Sequence, residues 1–130
     1  MERSLPYNSE ALYRYAGFVK TLKFKSDSGY YEAILEKAVD AARDESEPYK
    51  NVYISLARNY LNKNQAEDAM DILYEGLEKY PDDRSMLYYA GRASEKLSLY
   101  FKAEEYYQQA LTLDPGFKSA RQRLERLREN

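Results

Sequence analysis

The chain has 130 residues and a formal charge of −2, from 20 Lys and Arg against 22 Asp and Glu. That is room for one domain with a core of its own, and a composition 44% hydrophobic and 32% charged excludes both a disordered tail and a membrane-spanning protein. With no Cys and no His, disulfides, thiolate or imidazole chemistry and the usual zinc ligand sets are excluded, so neither a metal nor a cofactor is expected.

An acidic pI near 5.3 offers nucleic acid no overall attraction. The first ten residues lack the apolar core of a signal peptide, and no stretch approaches the ~18 apolar residues of a membrane span. A cytoplasmic protein is expected.

Five Gly and four Pro punctuate stretches whose apolar residues recur at three and four, the pattern of amphipathic helices. The spacing predicts an all-α chain of seven helices, over about 9–26, 29–44, 49–63, 66–80, 83–97, 100–113 and 117–129. The connections are short, which makes consecutive helices antiparallel neighbours. In helix 1, Tyr15, Phe18, Val19 and Leu22 are expected to line one face. Ser46 with Pro48 opens helix 3; Pro81 stops helix 4, and Asp82 and Asp83 can cap helix 5; Pro115 and Gly116 separate helices 6 and 7. Helix 7 collects Phe117, Ala120, Leu124 and Leu127 on one side, with Arg121, Arg123, Arg126, Arg128, Glu125 and Glu129 elsewhere. That pattern suits a terminal cap better than a nucleic-acid stripe, because Glu residues interrupt the basic ones.

A shift of 34 residues aligns the chain with itself: Tyr53 with Leu87, Leu56 with Ala90, Ala57 with Gly91, Tyr60 with Ser94, Ala69 with Ala103, Leu73 with Tyr107, Gly76 with Ala110 and Pro81 with Pro115. Only Tyr60 and Ser94 match poorly. Small residues at 57, 91, 69, 76, 103 and 110 leave room for two helix axes to approach, and Tyr53, Leu73, Leu87 and Tyr107 can fill the volume around that contact. Tyr60 and Tyr100 stand at spacings suited to the core or its rim. Each helix pair is one hairpin, and a hairpin cannot bury its apolar face alone.

These residues resemble the tetratricopeptide repeat (TPR) family. Residues 50–83 supply Tyr53, Leu56, Ala57, Tyr60, Ala69, Leu73 and Pro81 at the family's spacing, and 84–117 supply Leu87, Ala90, Gly91, Ala103, Tyr107 and Pro115, with Ser94 standing where the family prefers Tyr and Leu87 where it prefers a large aromatic. Residues 9–49 read as a divergent repeat: Ala33 to Pro48 is 15 residues, against 12 from Ala69 to Pro81 and from Ala103 to Pro115. The resemblance implies one domain over 1–130, a right-handed α-solenoid closed by a capping helix over 117–130.

Nothing points to an enzyme. The acidic clusters Asp82-Asp83, Asp40 with Asp44-Glu45, and Glu104-Glu105 sit where caps and solubilising residues belong, and no Gly-rich phosphate loop is present. The resemblance implies a binding groove along the first helices of the hairpins. Projected onto this chain, its wall carries Asn51, Ile54, Ser55, Arg58 and Asn62, then Ser85, Tyr88, Tyr89, Arg92 and Lys96, with Tyr13, Gly17, Lys20 and Lys23 from helix 1. Arg58 and Arg92 are one period apart, and a basic row favours a ligand with carboxylates; the other reading is that they are ordinary solvated helix formers. The clamp with which some TPR domains hold chaperone C-termini is absent, since Ser55, Ser85 and Tyr89 replace its Asn, Lys and Arg. The expected function is a protein-interaction module for an acidic peptide, monomeric or weakly self-associating. The alternative is a self-assembly or scaffold unit docking through its N-terminal hairpin edge.

Overall fold

The computed structural model describes residues 8–22 and 28–129. Seven helices follow in order: α1 (Ser9–Leu22), α2 (Ser28–Ala42), α3 (Lys50–Asn62), α4 (Ala66–Lys79), α5 (Arg84–Lys96), α6 (Tyr100–Leu113) and α7 (Lys118–Glu129). The protein is all-α. Its helix ends agree with the sequence pattern to within a residue or two, except that the expected extension of α1 to residue 26 lies outside the described residues, as do Lys23 and the side chain of Leu22.

Two compact units divide the chain inside α3, between Leu56 and Ala57. In the first, α1 and α2 form a hairpin whose core is Leu12, Ala16 and Val19 against Ile34, Leu35, Ala38, Val39 and Ala42. The buried positions of α1 recur at i, i+4 and i+7, which turns Phe18 off that stripe; it is 58% exposed rather than part of the apolar face. Val52, Tyr53 and Leu56 are buried as well.

The connection from α2 to α3 spans seven residues, 43–49, whereas 80–83 and 114–117 span four each. The longer spacing from Ala33 to Pro48 therefore arises in this connection, and one of its residues has a structural task. Glu45 accepts hydrogen bonds from the Ser9 backbone N–H (2.8 Å) and the Ser9 hydroxyl (2.7 Å), while Ser9 Oγ accepts one from the Tyr49 N–H (2.9 Å). Asn8 Oδ1 accepts from the Ala11 N–H at 2.7 Å. Two orphan donors of the first turn of α1 are thus satisfied, one of them by a carboxylate from a distant loop.

In the second unit, α4 packs on α5, α5 on α6 and α6 on α7. Ala57, Ala69, Leu73, Gly91, Ala103, Tyr107 and Ala110 are buried. Leu87, Ala103, Tyr107, Ala110, Ala120 and Leu124 form one apolar cluster, against which Tyr88, Phe117 and Leu127 pack. Tyr60 is half-buried, but Tyr100, expected in the core or at its rim, is 56% exposed as the first residue of α6.

The 34-residue period extends to the hydrogen bonds. Asn64 and Ser98, one period apart, both hold the left-handed conformation (φ 65° and 63°). Around them Gln65 N–H donates to Tyr60 O and Leu99 N–H to Ser94 O, while Asn64 N–H donates to Leu61 O and Ser98 N–H to Glu95 O. These two hairpin tips, at Asn64 and Ser98, are Schellman motifs made without glycine. At the other end Asp83 caps α5, its carboxylate accepting from Met86 N–H at 3.0 Å.

Candidate functional site

In the second unit, helical spacing sets Arg58 and Asn62 on one face of α3, and Tyr89, Arg92 and Lys96 on one face of α5. Arg58, Asn62 and Lys96 are exposed, and Tyr89 and Arg92 half-buried. The Arg92 guanidinium stands 6.0 Å from the Tyr89 ring centre, an i, i+3 stack that holds the charge near an aromatic plane. Arg58, Arg92 and Lys96 have no carboxylate partner among the described residues, whereas Arg84, Arg123 and Arg128 of the same unit pair with Asp114, Glu95 and Glu104. These faces offer cationic donors beside apolar surface, which suits anion binding.

Two residues projected onto the groove wall are used elsewhere. Ser55 is 5% exposed, turned inward with its neighbour Leu56. Tyr88 is half-buried between the rings of Tyr107 (5.9 Å), Phe117 (5.3 Å) and Tyr89 (5.0 Å). Its apolar neighbours in sequence did not reveal this, because the ring that covers it arrives just ahead of α7. Ser85 is half-buried.

In the first unit, Asn51 and Gly17 are exposed. Lys20 lies 4.8 Å above the Tyr31 ring. Tyr13 packs on Tyr49 with ring centres 5.2 Å apart.

A polar knot that periodicity did not foresee ties α7 to the hairpin before it. Tyr107 donates its hydroxyl to Glu95 Oε1 at 2.7 Å, and Arg123 reaches the same oxygen at 2.8 Å. Three helices meet at one carboxylate. Burial, reinforced by the Glu95 hydrogen bond and charge, pushes the Tyr107 phenol far above its ordinary range. Burial alone would lower the Arg123 pKa, but Glu95 outweighs it and the net direction is upward. Residues 95 and 123 bear opposite charges on helices of known phase, the only signal the sequence held.

Among the described residues no group of three or more His, Cys, Asp and Glu could hold a metal ion, and no described helix is long and apolar enough to cross a membrane.

No protein-family model and no curated protein sequence matches the chain. Solved structures do match in fold. A crystal structure of MamA aligns with 95% of this chain and 68% of its own, at a TM-score of 0.77 and 20% identity. The TPR domain of Arabidopsis OM64 aligns over 94% and 95% at 0.76 and 19%. MamA from residue 41 to the end, from Desulfovibrio magneticus RS-1, aligns over 92% and 63% at 0.74 and 20%. The chain carries the tetratricopeptide fold.

Proposed function

We propose that the protein is a non-enzymatic interaction module that binds a carboxylate-bearing peptide segment along the exposed faces of α3 and α5, through Arg58, Arg92 and Lys96, with Tyr89 and Asn62 beside them. The observation that carries this reading is that these three cations lack carboxylate partners in a unit where Arg84, Arg123 and Arg128 have them. A charge held ready in this way gains from an external anion what the paired ones already gain internally.

The experiment is fluorescence anisotropy with a labelled peptide of alternating Glu and Leu, against wild type and the double variant Arg58→Glu/Arg92→Glu. Binding by wild type is expected to weaken about tenfold or more in the variant and to lose salt sensitivity. Undiminished binding by the folded variant places the site elsewhere. Equal loss of binding and of thermal stability makes these arginines structural.

A second reading has its own observation: Phe18 and Tyr30 expose large apolar rings on the first hairpin, as a self-assembly edge would. Light scattering over a concentration series separates the two, growth favouring assembly and constant mass favouring the peptide-binding monomer.

A further inference from the structure

Ser94 breaks the period. Tyr60, one repeat earlier, carries a phenol; Ser94 ends at its hydroxyl, and in front of it lies an open cavity of about 260 Å3. Met70, Tyr74 and Leu97 give it apolar walls, Leu99 part of its rim, and Glu67 and Asp71 stand on the α4 side. Ser94 is 0% exposed, and its Oγ has no hydrogen-bond partner. A buried hydroxyl left in that state costs about 1–3 kcal/mol, so it marks a place where a ligand can supply what the fold does not.

The chemistry of that ligand follows from the lining. Glu67 and Asp71 are one helical turn apart on α4, and neither pairs with a cation among the described residues. Lys102 also borders the cavity, but its ammonium is turned to its own helix, 4.0 Å from Glu105 and 5.8 Å from the Tyr106 ring centre. The volume is below the ~300–1,000 Å3 of ordinary small-molecule pockets, which favours one long side chain over a cofactor. Apolar walls suit an aliphatic stem, two carboxylates a cationic head, and an acceptor oxygen a group rich in N–H donors. Arginine satisfies all three, since its planar fork can engage a carboxylate and a hydroxyl together, and the Tyr74 ring can flank it. Beyond Leu99, Tyr100 and Phe101 lie on the surface, Phe101 at 88%, ready for an apolar residue next to that arginine.

We propose that the cavity at Ser94 is a receptor for a single arginine side chain of a partner protein. Its charge preference is opposite to that of the α3 and α5 faces, so it stands or falls independently of the acidic-peptide reading.

The test is an amide NMR titration of the whole chain with Nα-acetyl-arginine methylamide, and with the neutral norleucine analogue as control. Saturable shifts are expected at Asp71, Ser94, Leu97, Leu99 and Lys102 with the arginine probe alone. Ser94→Tyr, which restores the side chain of the preceding repeat, should abolish them by filling the cavity. Glu67→Gln/Asp71→Asn, on the surface of α4, should weaken binding several-fold and leave the spectrum otherwise unchanged. No saturable shift at these residues, equal shifts from norleucine, or undiminished shifts in the carboxamide variant would each overturn the proposal.

Discussion

Gly91 is small because Tyr107 is large: a Cβ placed on Gly91 would stand 2.5 Å from Cε1 of the Tyr107 ring, closer than real atoms approach. One period earlier the same positions hold Ala57 and Leu73. All four residues are buried, and from the first pair to the second a methyl is lost on one helix and a ring gained on the other. Gly91→Ala should cost about 1–3 kcal/mol, read as a lower denaturation midpoint. Adding Tyr107→Leu reproduces the earlier pair, and the double variant should lose less than the sum of the single losses. Additive losses would show that the two residues are not coupled.

Alkaline pH should unfold the protein in a way that depends on Tyr107. Burial and Glu95 raise its folded-state pKa above the ordinary phenol value of 10.0. A raised pKa contributes stability that is complete below the unfolded value and is lost as pH climbs past it, because the unfolded chain ionises while the native phenol cannot. The loss should begin near pH 10 and be smaller in Tyr107→Phe. Ultraviolet titration should also find Tyr106, raised to about 12 by burial and its Tyr74 neighbour, among the late phenols.

Arg123→Met should loosen α7. It removes one of the two donors to Glu95 and leaves the carboxylate, only 16% exposed, with Tyr107. The expected cost is about 1–3 kcal/mol, with faster hydrogen exchange along α7 than along α4. Deleting 117–130 exposes Leu87, Ala103 and Ala110 of the cluster and should cause aggregation; a truncated protein that stays monomeric and equally stable would make α7 a dispensable tail.

Glu45→Ala tests the clasp in the first unit. The Ser9 N–H and hydroxyl lose their acceptor together. A loss of about 1–3 kcal/mol, with deprotection of the first turn of α1, is expected; an unchanged midpoint would make the clasp ornamental.

What the sequence revealed was whatever local chemistry or strict spacing encodes. Pro81, Pro115, Asp83 and the small residues at 57, 69, 91 and 103 announce helix ends and close contacts by their own properties, so the seven helices and the period could be read directly. Links between distant segments could not. Ser9 with Glu45 and Glu95 with Arg123 depend on how each helix is rotated and on which rotamer reaches across, and no periodicity records that. Tyr88 was legible as an aromatic on α5 but not as a packed one, since Phe117 comes from another part of the chain. Asn64 and Ser98 carry no sequence mark of their left-handed turns, because their backbone geometry is glycine's and their side chains are not.

That last feature leaves a reserve. A left-handed residue other than glycine carries a steric penalty that Asn bears better than Ser, so Ser98→Gly is expected to stabilise the fold by up to about 1 kcal/mol and Asn64→Gly by less, read as higher denaturation midpoints. The same slack is present at Asn64 and at Ser98. At Ser98 it borders the cavity, whose lining residues Leu97 and Leu99 take their bearings from that one cramped peptide turn. Relaxing it would show whether the turn serves only the fold or also keeps the mouth of the pocket open.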